Sequence, residues 1–324
     1  MAVTTPRVLR LATLPTPLTE APRLAAALGL AGRLLVKRDD LTGFAVAGNK
    51  ARALEPLLAD AVAQRATVLV TGGAPTSNFC QAATAGAAVA GLRCVLVLAG
   101  DDPGPRAHPN LAAARSWGAE VRWTGRVERA SVDAALPQVA AELAAAGERP
   151  YVVGRGGATP LGATGFAAAA DELAAQLSAD PAVVVLAVGS GGSVAGLLAG
   201  TVARGRPWRV AGASVSRPLE EAAARVLDLA RGCAALLGSA APTADDVVLC
   251  DARGPGHGVP SAEGERAAAL ALRCEGLVLD PVYTAKALAA LPALLAERRA
   301  DPALTTVFWH TGGLLDAVAA WESR

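Results

Sequence analysis

The chain has 324 residues and a formal net charge of +1, from 30 basic and 29 acidic side chains. This length suits one large or two moderate domains with a sizeable core, and the balanced charge, without a basic patch, argues against nucleic acid as a partner. No apolar run reaches the roughly 18–20 residues of a membrane span, so we expect no contact with a membrane.

Apolar runs at strand length alternate with segments of helical periodicity along most of the chain. The opening to Pro22 is rich in proline and predicts an extended arm. Strands are predicted within 31–40 and at 67–71, 93–98, 119–123, 151–153, 182–188, 208–215, 247–249 and 305–309. Helices are predicted after Lys50, at 77–90, 111–117, 132–146, 160–177, after the glycine loop at 189–193, at 219–237, 261–273, 284–298, and from 313.

This alternation predicts an α/β fold with mostly parallel sheets covered by helices. Pro56 interrupts the pattern that follows Lys50. An interior proline costs about 3 kcal/mol in a helix, so we expect Pro56 to lie in the first helical turn.

The five cysteines are scattered and lack CxxC spacing, which is typical of reduced thiols in a cytosolic protein. The N-terminus is broken by prolines and has no continuous apolar segment of the kind found in signal peptides. We therefore expect a cytoplasmic protein. Three histidines without HxxH or HExxH spacing also argue against a metal site.

The candidate functional residues lie in loops that follow predicted strands, where ligands bind on parallel sheets. The loop Gly189–Ser193 combines glycines, two serine hydroxyls and a helix N-terminus, and these features suit a phosphate. Lys50 is a candidate Schiff-base lysine. His257 is a candidate acid or base near neutral pH, because its ordinary pKa lies there. The remaining candidates are Ser77, Asn78, Tyr283, Thr284 and Thr311.

Taken singly, each of these features has an ordinary structural explanation. The glycine loop could be a tight turn, and Lys50 a solvated surface residue. Ser77-Asn78 and Thr311 could be helix caps, His257 an exposed loop residue and Tyr283 a packed phenol.

Seven segments in order, GNKARALE, GGAPTSN, GGATPLGATGF, GSGGSVAGL, GPGHGVPSAEG, LDPVYTAKAL and HTGGL, resemble the D-cysteine desulfhydrase / 1-aminocyclopropane-1-carboxylate deaminase family. These are pyridoxal-phosphate enzymes of fold type II, which is similar to the β subunit of tryptophan synthase. The resemblance runs from about Lys37 to Leu314. It implies two lobes: a larger domain of residues 1–50 and 157–324 that binds the cofactor, and a smaller inserted domain of residues 51–156.

The resemblance also implies roles for individual residues. Lys50 would bind pyridoxal 5′-phosphate covalently and move a substrate proton, and Gly189, Ser190, Gly191, Gly192 and Ser193 would hold the phosphate. Asn78 would lie beside the ring hydroxyl, and Thr284 and Thr311 near the pyridine nitrogen. Ser77 and Tyr283 would act on the substrate.

Four positions depart from the family pattern. His257 stands where a tyrosine is usual, Ala53 where a second lysine is usual, and Thr76 and Phe79 flank Ser77-Asn78 in place of other residues. The substrate-binding residues are therefore altered while those for the cofactor are retained.

The predicted activity is α,β-elimination from a small β-substituted amino acid, similar to D-cysteine, to give a keto acid and ammonia. Ring opening of an aminocyclopropane carboxylate, β-replacement, and a degenerate cofactor-binding protein remain alternatives. A dinucleotide-dependent oxidoreductase would need GxGxxG and a later acidic residue, and we find no such pattern in the first βαβ unit. The resemblance further implies a homodimer.

Overall fold

A computed structural model describes residues 7–177, 182–296 and 305–322. Its strands are β1 Leu18–Glu20, β2 Leu34–Arg38, β3 Val68–Gly73, β4 Arg93–Leu98, β5 Glu120–Trp123, β6 Pro150–Val152, β7 Ala182–Val188, β8 Arg209–Ser214, β9 Val248–Asp251 and β10 Thr305–His310. Its helices are α1 Pro22–Ala27, α2 Lys50–Ala63, α3 Asn78–Val89, α4 Pro109–Ser116, α5 Arg129–Ala145, α6 Pro160–Leu177, α7 Gly192–Ala203, α8 Leu219–Leu237, α9 Ala262–Glu275, α10 Thr284–Ala289, α11 Leu291–Ala296 and α12 Leu314–Glu322.

The strands form two sheets. The larger has the order β1-β2-β10-β7-β8-β9 and is parallel except for the β1–β2 pair, and the smaller has the order β5-β4-β3-β6 and is wholly parallel. The predicted α/β class with helix-covered, mostly parallel sheets is confirmed. The smaller sheet spans 68–152 and so lies within the interval 51–156 that the sequence assigned to an inserted domain; the domain boundaries stay a prediction.

Apolar side chains cover both faces of each sheet, as parallel sheets require. In the larger sheet, Val184 and Leu186 pack into one core, and Val183 and Val185 pack into another on the opposite face. The alternation of side chains along β7 therefore buries residues 183–186 from both faces.

Pro56 lies in the interior of α2, so the prediction that it would occupy the first turn is wrong. Proline has no N–H, and the carbonyl of Arg52, four residues earlier, therefore lacks its usual helical partner. Gly165 of α6 packs against that carbonyl, because a Cβ built at Gly165 would lie only 1.9 Å from the Arg52 oxygen. The lack of a side chain at Gly165 thus lets α6 pack against the carbonyl that Pro56 leaves without its helical partner.

A buried group of charges connects α2 to the larger sheet. The guanidinium of Arg52 donates to both carboxylate oxygens of Asp39 at 2.8 Å and to both of Glu172 at 2.9 Å. Lys37 donates to Glu172 and, at 2.8 Å, to the Thr16 carbonyl. We call Arg52, Asp39, Glu172 and Lys37 the Arg52 cluster.

The predicted single helix over 284–298 is two helices. α10 ends at Ala289 and α11 begins at Leu291, with Pro292 near the start of α11. The final two residues of that prediction lie outside the described residues. The sequence also did not predict the short strand β1, which pairs with β2 in the proline-rich opening.

None of the helices in the described ranges is long and apolar enough to cross a membrane. Within those same ranges, no cluster of three or more His, Cys, Asp or Glu side chains could hold a metal ion.

Candidate active site

A cavity of about 480 Å³ opens at the carboxyl ends of strands from both sheets. Most of the predicted site residues line it: Lys50, Ser77, Asn78, Gly189, Ser190, Gly191, Ser193, His257, Tyr283 and Thr311. Gly192 and Thr284 lie next to lining residues without forming part of the wall.

Lys50 is the first residue of α2 and points into the cavity. Its ammonium makes no hydrogen bond or ion pair with any residue that the structure describes. Burial lowers the pKa of Lys50 to about 8, against the opposing charges of Asp280 and Asp316. A large share of this amine is therefore neutral slightly above neutral pH, which is what nucleophilic attack on an aldehyde requires.

The loop between β7 and α7 faces Lys50 across the cavity. Gly191 precedes the helix with φ +96°, a left-handed conformation that favours glycine. A Cβ at Gly189 would lie 3.0 Å from the ring of Tyr283, so a side chain there would push against the cavity wall. The loop therefore presents backbone N–H groups and the positive end of α7 to the cavity, an arrangement that binds phosphate.

Asn49 connects the lysine to this loop. Its side-chain amide donates to Ser193 Oγ at 3.0 Å, and its backbone N–H donates to the Thr311 carbonyl at 3.0 Å. Three segments that are far apart in the sequence are joined by this one residue.

Ser77 caps the N-terminus of α3, where its hydroxyl oxygen accepts the N–H of Cys80 at 3.2 Å. The hydroxyl proton remains available to a ligand. Together with the positive end of the α3 dipole, it suits the carboxylate of a small molecule.

Tyr283 and His257 form a pair in the cavity wall. The Tyr283 hydroxyl lies 3.3 Å from His257 Nε2, and the two rings meet edge to face. Burial raises the pKa of Tyr283, with Asp316 and Asp280 adding to the effect. Burial also lowers the pKa of His257 to about 4, helped by Arg129 and other cations, so the imidazole is neutral at pH 7 and can accept a hydrogen bond from the Tyr283 hydroxyl.

Asp280 forms the floor of the cavity beside Thr284. Its carboxylate accepts the hydroxyl of Thr284 at 2.5 Å and the backbone N–H groups of Val282, Tyr283 and Thr284 at 2.7–2.9 Å. Thr284 lies behind Asp280 and contributes to the site through this carboxylate. Burial raises the pKa of Asp280, while these four hydrogen bonds oppose the increase.

Asp316, near the start of α12, holds Asn78. Asn78 and Asn110 both donate their side-chain amides to the Asp316 carboxylate, and Asn110 also donates to Asn78 Oδ1 at 3.2 Å. Burial raises the pKa of Asp316 to about 7, with Asp280 as the second cause. The Asn78 amide is therefore oriented by a carboxylate that is itself close to its titration point at neutral pH.

Sequence reasoning missed Asp280, Asp316, Asn110 and Arg129. Asp280 was visible inside the segment LDPVYTAKAL, directly after an apolar run. Asp316 follows the HTGGL segment by two residues, at the start of the predicted final helix. No local pattern marks Asn110 or Arg129, which reach the site only through the packing of α4 and α5.

Comparisons with known proteins agree with this architecture. A sequence profile described as "Pyridoxal-phosphate dependent enzyme" matches residues 9–312. Proteins named D-cysteine desulfhydrase from Salmonella paratyphi C (strain RKS4594) and Salmonella choleraesuis (strain SC-B67) are each 38% identical over 306 residues, covering 92% of this chain and 92% of each relative. A solved structure titled "Crystal Structure Analysis of the ACC deaminase homologue" superposes with a TM-score of 0.90 at 31% identity, over 98% of this chain and 95% of that one.

Proposed function

Because this chain belongs to the family of pyridoxal-phosphate dependent enzymes, we propose that it is a lyase that eliminates the β-substituent of a small amino acid and releases a keto acid and ammonia. One observation carries this proposal: the unpaired Lys50 amine, with its pKa lowered to about 8, shares a cavity with a glycine loop suited to phosphate. The D-cysteine desulfhydrases that it resembles support this choice of reaction.

The residues present fit pyridoxal 5′-phosphate. Lys50 would hold the aldehyde, and the loop Gly189–Ser193 would hold the phosphate. Asn78 and Thr311 would contact the ring, and Thr284 would act through the Asp280 carboxylate that it holds. When bound, this cofactor supplies an electron sink that makes bonds at the substrate Cα easier to break.

The side chains of the cavity bind the substrate and transfer its protons. Lys50 Nζ takes the proton from the substrate Cα, since its lowered pKa leaves much of the amine neutral. The Ser77 hydroxyl and the N-terminus of α3 bind the substrate carboxylate. Tyr283 Oη keeps its proton because its pKa is raised, and it gives that proton to the departing β-group, while His257 orients the phenol.

Ring opening of an aminocyclopropane carboxylate is the second candidate, since the structure titled as an ACC deaminase homologue is similar over nearly the whole chain. Relatives with that activity usually carry a glutamate where this chain has Thr284, so elimination is preferred. β-Replacement would use the same early steps with a second nucleophile. A homodimer, a cytoplasmic location and a division at residues 51–156 remain predictions from the sequence.

The test combines cofactor attachment with turnover. The purified protein should be yellow, and borohydride should fix the cofactor to the peptide that contains Lys50. A panel of D- and L-amino acids with β-substituents should release keto acid and ammonia in equal amounts. A colourless protein that takes up no pyridoxal phosphate would refute the proposal, and cofactor attachment without turnover of any panel member would leave the degenerate binding protein as the better description.

A further inference from the structure

Four arginines line the cavity, and Arg129 differs from the other three. Arg155 forms a two-pronged pair with Asp133 at 2.6–2.7 Å. Arg217 donates to Glu221 at 2.8 Å and also to a backbone carbonyl.

Arg225 donates to the Ala158 carbonyl at 3.1 Å. In contrast, Arg129 makes no hydrogen bond or ion pair within residues 7–177, 182–296 and 305–322. A half-buried guanidinium has five donors, and those of Arg129 are free to bind an anionic ligand.

Arg129 belongs to neither of the two segments to which the proposed function assigns an anionic group. The N-terminus of α3 with Ser77 suits the substrate carboxylate, and the loop Gly189–Ser193 suits the phosphate. Two other arginines lie beside that loop. Arg217 donates to the Gly189 carbonyl at 2.7 Å, and Arg225 Cγ lies 3.6 Å from a Cβ built at Gly191. Arg129 instead begins α5, above the smaller sheet.

Arg129 lines the same cavity as Tyr283 and His257. Its charge lowers the pKa of His257 more than any other charged group does, and it also acts to lower the pKa of Tyr283. These two rings are the groups placed to help the β-substituent of a substrate leave. The unpaired cation therefore lines the same cavity as the two rings that the proposed function assigns to the departing substituent.

We propose that Arg129 binds a negatively charged β-substituent of the substrate, so that the enzyme prefers amino acids with an anionic leaving group to those with a neutral one. This inference rests on the proposed elimination. For serine O-sulfate, the Cα–H bond breaks and its proton goes to Lys50. The Cβ–O bond breaks with its electron pair leaving on sulfate, and water converts the product to pyruvate and ammonium.

The test uses the holoenzyme with two substrates of different charge, serine O-sulfate and the neutral 3-chloroalanine, each as both enantiomers. The parent should have the higher kcat/KM with serine O-sulfate. Arg129→Met should lower kcat/KM for serine O-sulfate by about tenfold to a hundredfold, mainly through KM, because a hydrogen bond to a charged group contributes about 1.5–3 kcal/mol. The value for 3-chloroalanine should change less than about threefold.

The matched control is Arg126→Met, which removes the same charge from an exposed position three residues earlier, outside the cavity. It should leave both substrates unaffected. Equal losses for both substrates in Arg129→Met would assign Arg129 to the α-carboxylate or to a structural role and would overturn the proposal. So would an unchanged kcat/KM for serine O-sulfate.

A binding measurement separates this inference from the proposed reaction. 2-Amino-3-phosphonopropionate carries an anionic side chain on a carbon–phosphorus bond, and alanine is its neutral counterpart. Should the parent bind cofactor yet turn over neither substrate, the proposed elimination fails, and Arg129 is judged by calorimetric titration of the holoenzyme. A tenfold to hundredfold weaker affinity of Arg129→Met for the phosphonate, with alanine unchanged, supports the inference, and equal affinities refute it.

Discussion

Two cations on one helix illustrate opposite uses of a buried charge. Lys50 and Arg52 are two residues apart on α2 and point to different sides of it. Arg52 is 1% exposed and bonded through all three guanidinium nitrogens, whereas Lys50 has no polar partner in the described part of the chain. The same turn of helix thus carries one cation that is hydrogen-bonded through every nitrogen and one that has no polar partner in the described residues.

The two pKa shifts follow this difference. Burial acts to lower the pKa of Arg52, but Asp39 and Glu172 outweigh it and the pKa is raised. For Lys50 burial prevails, and the pKa falls to about 8. A buried cation that is fully paired has a structural role and cannot react, whereas an unpaired one is available for chemistry.

The largest expected effect is on activity, from Lys50→Met. We expect kcat/KM to fall by about 10⁴-fold or more, since this change removes both the cofactor attachment and the proton acceptor. In the cofactor-free proteins, the free energy of unfolding should not decrease, because no hydrogen bond to Lys50 is lost. Steady-state kinetics and urea denaturation measure the two quantities, and a variant that unfolds far more easily than the parent would contradict the contrast with Arg52.

Arg52→Met should have the largest effect on stability. It leaves Asp39 and Glu172 buried with less compensating charge, and we expect the free energy of unfolding to fall by about 3–5 kcal/mol. Urea denaturation measures this loss. The control is Arg33→Met, which breaks a surface ion pair of 2.6 Å with Glu20 and should cost less than about 1 kcal/mol. Similar losses for both variants would show that the Arg52 cluster contributes no more than a surface pair.

The lowered pKa of Lys50 predicts a pH dependence in the cofactor-free protein. Between pH 8 and 10.5 the unfolded chain binds a proton that the folded chain has released, so stability increases with pH across this window. The parent should therefore gain stability relative to Lys50→Met, by on the order of 2 kcal/mol. Thermal denaturation of both proteins at pH 7.5 and pH 10 measures the difference. Parallel curves would show that the amine is not desolvated.

His257 offers the smallest and most selective test. Its pKa is lowered from 6.5 to about 4, so the stability that its neutral form contributes is complete above pH 6.5 and is lost as pH falls towards 4. His257→Gln should consequently lose less stability than the parent between pH 6.5 and pH 4.5. An NMR titration of the His257 ring reports the pKa directly, and a midpoint near 6.5 would refute the desolvated environment described above.

The residues that sequence reasoning placed in the site lie in segments that resemble a known family, and most of them line the cavity. The roles of Lys50 and of the loop Gly189–Ser193 stay predictions. Arg52 and Arg129 look like surface charges at helix starts, because nothing local reveals that a distant segment will cover one and leave the other facing a cavity. Pro56 was misplaced for the same reason, since its tolerance depends on a glycine more than a hundred residues away.

Asn49 bears on whether the site would accept pyridoxal with or without its phosphate. It precedes Lys50 directly and donates to Ser193 Oγ at 3.0 Å, so this hydrogen bond constrains the span between the Lys50 amine and the loop proposed to hold the phosphate. A molecule must match that span to engage both ends at once. Discrimination between phosphorylated and unphosphorylated pyridoxal would then depend on length as well as charge.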